Sequence, residues 1–338
     1  MFKKVVVIVL IGLVIGAWIF ARDFFTDNVK GDEEIELIVP TNSNYDDVLS
    51  ILRSKNVLNN EFSFDLTAKK MRYPELVKPG RYIIDGNMTN RELLIKLRLG
   101  AQDEISVTIH NERLLSELAG KLGDYFESDS LEFLEYLSKE EHLLQYGLTK
   151  DVIMTTFIPN TYNFFWNTKP QQFLERMLHE RSKFWDENRK EKARSIGLSE
   201  NDAFILASIV EQEIHKQSEA SRVAGVYLNR LKKNMLLQAD PTLKFAAKDF
   251  AIRRVLNKHK AIDSPYNTYK YKGLPPGPIC LPSIKTIDAV LNAENHDYYY
   301  FCARADYSGE HQFSKTYSEH LRYAREYHTS LNKSKIYE

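Results

Sequence analysis

The stretch AFILASIVEQE, residues 203–213, is almost entirely apolar over its first eight positions and ends in Glu-Gln-Glu. A helix that is apolar all round its circumference belongs inside a protein core. The sequence therefore predicts a buried helix whose last turn carries two carboxylates. Residues 221–232 repeat apolar side chains at the spacing of one helix face, which predicts a second helix after it.

Glu211 is the sharpest candidate for a catalytic acid, because it continues the register of Phe204, Ala207 and Ser208 on the buried helix. Burial disfavours the charged form of a carboxyl group and so keeps its proton available for donation to a substrate. Glu213, two positions on, is expected to face elsewhere. The alternative for Glu211 is a helix-end side chain that simply reaches solvent.

Asp240 is a candidate for the second carboxylate that ordinary glycosidases require. Asp before Pro is also a common helix N-cap with Pro at the first helical position, so a purely structural role stays open. Gln238 and Thr242 beside it have side chains that can hydrogen-bond a sugar or only the loop.

Two loops set aromatic rings among rigid turns, namely SPYNTY at 264–269 and GLPPGPI at 273–279. Rings and amides on stiff loops suit sugar recognition, because apolar ring faces stack and hydroxyl groups need partners. The alternative is a pair of loops that merely pack. Tyr266, Asn267 and Tyr269 are the side chains concerned.

A metal centre is a weak alternative. Glu211 and His215 stand at i, i+4 spacing and join His311 and His320 as potential zinc ligands. The spacing is not that of the H-E-x-x-H motif, and such pairs are common by chance. We predict no metal and no cofactor.

The N-terminus carries an apolar run of 17 residues, 5–21, that follows Lys3 and Lys4. Its length and its poor small-x-small cleavage site favour a retained membrane helix, and a cleaved signal peptide is the alternative. By the positive-inside rule the N-terminus is cytoplasmic and the rest of the chain lies outside the cytoplasm. Envelope substrates are therefore favoured over ATP-dependent chemistry.

The overall composition excludes several other classes of function. Lys+Arg and Asp+Glu both total 46, so no net charge favours a nucleic-acid partner. Cys280 and Cys302 are too few for a disulfide scaffold and have no C-x-x-C spacing for zinc or redox work.

The predicted fold is α+β. Residues 1–25 form a cytoplasmic stub and transmembrane helix, and residues 34–110 a small βααβ module. In that module, Ser43 with Asp46 and Thr89 with Glu92 are predicted capping boxes. Such a module resembles a LysM-like carbohydrate-binding domain, or it is a structural spacer. Residues 111–338 form a mixed α/β catalytic domain that begins with a helical connector and contains a hairpin at 298–303 and 312–314.

Several motifs together resemble the endolytic murein transglycosylase, or YceG-like, family. The strongest are ASIVEQE at 207–213 and AGVYLNRL at 224–231. The chain departs from the family pattern at Asn160, Ala239 and Leu321. Weaker likenesses lie, in order along the chain, at 78–82, 157–162, 238–242, 264–269, 273–279 and 311–314.

The resemblance implies a bacterial peptidoglycan lyase with Glu211 as its single catalytic carboxylate. Such enzymes protonate the glycosidic oxygen between MurNAc and GlcNAc and close the C6 hydroxyl onto C1, which leaves 1,6-anhydroMurNAc ends on nascent strands and terminates their elongation. It also implies a single-pass protein of the bacterial cell membrane that partners peptidoglycan polymerases. The side chains that it places on the glycan are Asn229, Arg230, Gln238, Asp240, Thr242, Tyr266, Asn267, Tyr269, His311 and Ser314.

Two alternatives from other classes stay open. One is a peptidoglycan hydrolase that uses Glu211 with Asp240, and hydrolysis would leave a reducing sugar end instead of an anhydro end. The other is a non-catalytic peptidoglycan-binding scaffold, for which a Glu211→Gln variant would work as well as the parent.

Overall fold

The computed structural model describes residue 11, residues 26–252 and residues 254–333. The predicted membrane helix at 5–21 lies outside the described residues apart from Ile11. Within the described ranges no helix is both long enough and apolar enough to cross a membrane. The described chain is α+β, with many helices and three two-stranded sheets.

The chain divides into two compact units. The first is formed by residues up to 107 together with 125–128 and 162–169. The second is formed by 108–124, 129–161 and the residues from 170 onward. The candidate site described below lies entirely in the second unit.

The first unit has the order strand, helix, helix, strand that the sequence predicts. Its two strands pair antiparallel, with Ile35 opposite Ile84 and Val39 opposite Gly80. Alternate strand residues such as Leu37 and Tyr82 are fully buried, because they face the helices. Its elements are β1 (Ile35–Val39), α1 (Tyr45–Ser54), α2 (Glu61–Lys70), β2 (Gly80–Ile84) and α3 (Asn90–Leu99).

The two predicted capping boxes have different outcomes. The Thr89 and Glu92 box is confirmed at the start of α3. The Ser43 and Asp46 box is wrong by one residue, because the side chain of Asn44 caps α1 and Asp47 completes the box. Asn accepts from the free N–H groups of a helix start as well as Ser does, so the pattern alone does not decide between them.

From residue 105 onward, helices dominate. The strand at Asn160–Phe164 was not predicted, because it lies in the part of the chain that was predicted to be a helical connector. The elements are β3 (Ile105–Ile109), which pairs with β4 (Asn160–Phe164), then α4 (Leu115–Tyr125), α5 (Ser130–Ser138), α6 (Glu140–Leu144), α7 (Pro170–Phe184), α8 (Glu187–Ser195), α9 (Glu200–Glu213), α10 (Ala220–Lys232), α11 (Asp240–Ala247), α12 (Asn257–Lys260), α13 (Ile284–Leu291), β5 (Tyr300–Ala303), β6 (His311–Ser314) and α14 (Tyr317–Lys333), with short 3₁₀ turns at Tyr73–Glu75, Ile153–Thr156 and Gln217–Glu219.

The predicted buried helix is confirmed as the centre of the second unit. All eight residues from 203 to 210 are buried in α9, which packs against α10 and α13. Ser208 is accommodated because its hydroxyl donates to the Ile205 carbonyl at 2.7 Å and accepts from the Ile279 N–H at 3.0 Å. The predicted hairpin is also confirmed as the antiparallel pair β5 and β6.

Candidate functional site

A cavity of about 320 Å³ lies between the last turn of α9, helix α10, the start of α11 and the hairpin β5–β6. Its wall is mostly polar, and it combines two carboxylates with one arginine and two histidines. A strand of sugars, which is rich in hydroxyl groups, matches this chemistry. The lining residues are Glu213, Tyr227, Arg230, Leu237, Gln238, Asp240, Tyr269, Phe301, Cys302, Ala303, His311 and His320.

Glu213 is the carboxylate with the most unusual environment. It is the last residue of α9, and its Oε1 accepts a hydrogen bond of 2.8 Å from the hydroxyl of Tyr227. Burial raises the pKa of Glu213 to about 7, and the nearby Asp240 carboxylate acts in the same direction. A carboxyl group with this pKa keeps its proton up to neutral pH and can donate it.

Asp240 is the second carboxylate of the cavity. Its Oδ1 accepts a hydrogen bond from the hydroxyl of Tyr269, which lies 29 residues further along the chain. The predicted N-cap role for Asp240 is wrong, because it is the first residue of α11 and the N-cap position belongs to Ala239, without a side-chain cap bond.

Glu211 lies in a different environment. Its Oε2 accepts from the hydroxyl of Ser283 at 3.0 Å and from the Ser283 backbone N–H at 3.3 Å. Ser283 is the N-cap of α13, so the Glu211 carboxylate lies at the positive end of that helix dipole. Glu211 is not among the described residues that line the cavity. These contacts are those of a carboxylate that joins two helices.

The sequence model described as the YceG-like family matches residues 37–326. The chain belongs to the YceG-like family. An endolytic murein transglycosylase of Bacillus subtilis (strain 168) is 28% identical over 339 residues, which cover 94% of this chain and 91% of the relative. An endolytic murein transglycosylase of Streptococcus pneumoniae (D39) is 27% identical over 294 residues, 78% of this chain and 53% of the relative, so the match spans about half of that protein.

A solved structure agrees with the YceG-like assignment. A crystal structure titled as a putative yceG-like protein from Listeria monocytogenes matches with a TM-score of 0.59 and 27% sequence identity. The match covers 86% of this chain and 99% of that chain. The family match contains every residue that lines the cavity, since these lie between positions 213 and 320.

Half of the glycan-contacting residues predicted from YceG-like motifs line the cavity. Among them, Arg230 also has a structural function, because its Nε donates to the Tyr299 carbonyl at 2.6 Å and its Nη1 to the Leu237 carbonyl. These bonds attach the hairpin and the loop before α11 to helix α10. The predicted residues in the cavity wall are Arg230, Gln238, Asp240, Tyr269 and His311.

The other half of these residues bond or pack within the fold. Asn229 donates to the His296 carbonyl at 2.7 Å, and Thr242 donates to the Ala239 carbonyl at 2.7 Å. The Asn229 side chain therefore secures the loop before β5, whereas the Thr242 side chain bonds within the first turn of α11. Asn267 likewise donates to the Ile262 carbonyl at 2.7 Å.

Two further predicted residues lie outside the cavity wall. The ring of Tyr266 packs on Phe245 with centroids 4.7 Å apart. Ser314 is buried in β6, and its hydroxyl has no hydrogen-bond partner among the described residues. Neither side chain is among the described residues that contact the cavity.

Sequence reasoning missed several residues of the site. Glu213 was expected to face away, and Tyr227 was read as part of an apolar helix stripe. The hydroxyl of Tyr227 is the signal that distinguishes this residue from the apolar core, since a buried Tyr normally has a hydrogen-bond partner. Phe301 was not singled out, and His320 was considered only as a potential zinc ligand. In the structure both line the cavity, and His320 stacks on Tyr300 with ring centroids 5.6 Å apart.

Proposed function

We propose that this protein is an endolytic peptidoglycan lytic transglycosylase, a lyase, and that Glu213 is its catalytic acid. The observation that carries the proposal is a carboxyl group in a cavity wall whose pKa is raised to about 7 by burial. Relatives named endolytic murein transglycosylase support the activity and the substrate class. The prediction that Glu211 supplies the proton stays untested beside it.

The arrangement of Glu213 and Tyr227 in the cavity wall supports lytic cleavage. Tyr227 donates to one oxygen of Glu213, which leaves the other oxygen to carry the proton toward the glycosidic oxygen of a bound strand. Once the bond breaks, the Glu213 carboxylate can accept the proton of the MurNAc C6 hydroxyl as that oxygen closes onto C1. The product is a 1,6-anhydroMurNAc end. No water enters the reaction, so no second carboxylate has to activate one.

The mass of the cleaved products tests this reaction. We expect isolated peptidoglycan strands treated with the full chain to yield fragments with 1,6-anhydroMurNAc ends, measured by mass spectrometry. A hydrolase that uses Asp240 as a second carboxylate would yield fragments heavier by one water with reducing ends. A non-catalytic scaffold would yield none. Either of these results would contradict the proposed reaction.

The rate of cleavage should depend on pH through Glu213. Because the acid must be protonated and its pKa is about 7, we expect activity to be retained below neutrality and to fall above it. Well above the pKa the rate should decrease about tenfold for each pH unit. Initial rates across pH 5 to 9, on one substrate preparation, measure this. A rate that stays constant up to pH 9 would rule out a carboxylic acid as the donor.

We further propose a membrane-anchored arrangement in the bacterial envelope. The 17-residue apolar run at 5–21 after two lysines supports a single-pass anchor with the catalytic domain outside the cytoplasm. The βααβ order of β1, α1, α2 and β2 supports a LysM-like, glycan-binding function for residues 34–110. An anchored enzyme would meet new strands beside the membrane, where it would terminate their elongation close to peptidoglycan polymerases.

A further inference from the structure

A buried carboxylate–imidazole pair borders the cavity. The side chains of Glu219 and His311 are 8% and 11% exposed. One oxygen of Glu219 accepts from the backbone N–H of His311 at 2.8 Å, and the other lies 3.1 Å from His311 Nδ1. A single carboxylate thus holds both the backbone and the ring of His311, 92 residues further along the chain.

The hydrogen bond that Glu219 accepts from the ring of His311 decides which ring nitrogen carries the proton. An ionised carboxylate only accepts hydrogen bonds, so the proton shared with Glu219 resides on Nδ1. In the neutral ring Nε2 then carries a lone pair. Among the described residues nothing hydrogen-bonds Nε2, while the ring lines the cavity and is packed edge-on against Phe301 at 5.1 Å.

We propose that Glu219 is a positioning residue that presents His311 Nε2 as a hydrogen-bond acceptor for a sugar hydroxyl in the cavity. The inference rests on the proposed function, which supplies the glycan strand as ligand. The carboxylate fixes the orientation and the tautomer of the ring, as carboxylate partners of functional histidines generally do. Glu219 therefore acts through His311 and does not itself contact the glycan.

Replacing Glu219 by Gln tests the tautomer. The Gln amide can still accept from the backbone N–H of His311, but its NH₂ group donates to Nδ1 and so favours the ring form with the proton on Nε2. We expect the ¹⁵N spectrum of ring-labelled histidine in the full chain to show a proton on His311 Nδ1 in the parent and on Nε2 in Glu219→Gln. A His311→Gln variant assigns the signal. A parent ring with its proton on Nε2 would overturn the proposal.

The same variant should weaken glycan binding. Loss of one acceptor for a sugar hydroxyl raises KM by about tenfold and leaves kcat nearly unchanged. Glu310→Gln is the matched control, because Glu310 lies next to His311 in the chain but pairs with Lys216, and its KM should equal that of the parent. In a His311→Gln background, Glu219→Gln should add no further effect on KM. A folded Glu219→Gln enzyme with the parent KM, or additive effects of the two changes, would overturn the inference.

Failure of this inference is distinguishable from failure of the proposed function. If Glu213→Gln abolishes cleavage while Glu219→Gln behaves as the parent, only the positioning of His311 is refuted. If Glu213→Gln cleaves strands normally, the assignment of the acid is refuted first.

Discussion

Replacing Glu213 by Gln is expected to lower the rate of strand cleavage by about 10²- to 10⁴-fold, the usual contribution of a general acid. Gln keeps the size of the side chain and can still accept the hydrogen bond from the Tyr227 hydroxyl, but it has no proton to donate. The expected loss is therefore chemical and not structural. Release of anhydro-ended fragments from isolated peptidoglycan, at equal amounts of folded protein, measures it.

Glu211→Gln is the matched control for this experiment. Glu211 accepts from Ser283 outside the described cavity wall, and an amide oxygen can accept the same bonds. We expect this variant to keep most of the parent activity. The reverse pattern, an active Glu213→Gln and an inactive Glu211→Gln, would show that the prediction from the sequence motif identifies the acid.

The second large effect concerns the stability of the folded chain, and its size depends on pH. The pKa of Glu213 is about 7 in the folded chain against an ordinary value of 4.5. Between these values the unfolded chain loses a proton that the folded chain keeps, so the folded state loses stability as pH rises through this window. Above pH 7 the accumulated loss is on the order of 3 kcal/mol.

Gln at position 213 does not ionise and should avoid this loss. We therefore expect Glu213→Gln to be stabilised relative to the parent at pH 8, by more than at pH 4, where both states of the parent are protonated. Urea unfolding of the full chain at the two pH values measures the difference. The same change in free energy of unfolding at pH 4 and pH 8 would mean that Glu213 is ordinarily solvated.

Local patterns were sufficient to predict much of the architecture. Helix α9 followed from eight nearly all-apolar residues, and α3 from the reciprocal bonds of Thr89 and Glu92, because both signals are contained within one element. The hairpin β5–β6 followed from two short strands around a turn. Strand β4 was missed because its partner β3 lies some 50 residues earlier in the chain.

Local sequence patterns could not show whether Glu211 or Glu213 faces the cavity. In an amphipathic helix, the difference between apolar and polar residues shows which face is buried. Helix α9 is buried on every side over residues 203–210, so its sequence shows no such difference. Glu213 faces the cavity, where Tyr227 on α10 bonds it and the hairpin forms part of the wall. Glu211 instead contacts Ser283 on α13. Likewise, the partner of Asp240 is Tyr269, on a loop whose path the sequence does not specify.

The wall of the cavity is contributed by residues scattered from position 213 to position 320. A ribosome releases these parts in order, so the glutamate emerges about a hundred residues before the hairpin histidine and the final helix that enclose it. Until they arrive, its carboxyl group would be solvated and deprotonated like any other. Under the role proposed for Glu213, a chain without the hairpin and the last helix therefore lacks the raised carboxyl pKa that cleavage of a glycan strand requires.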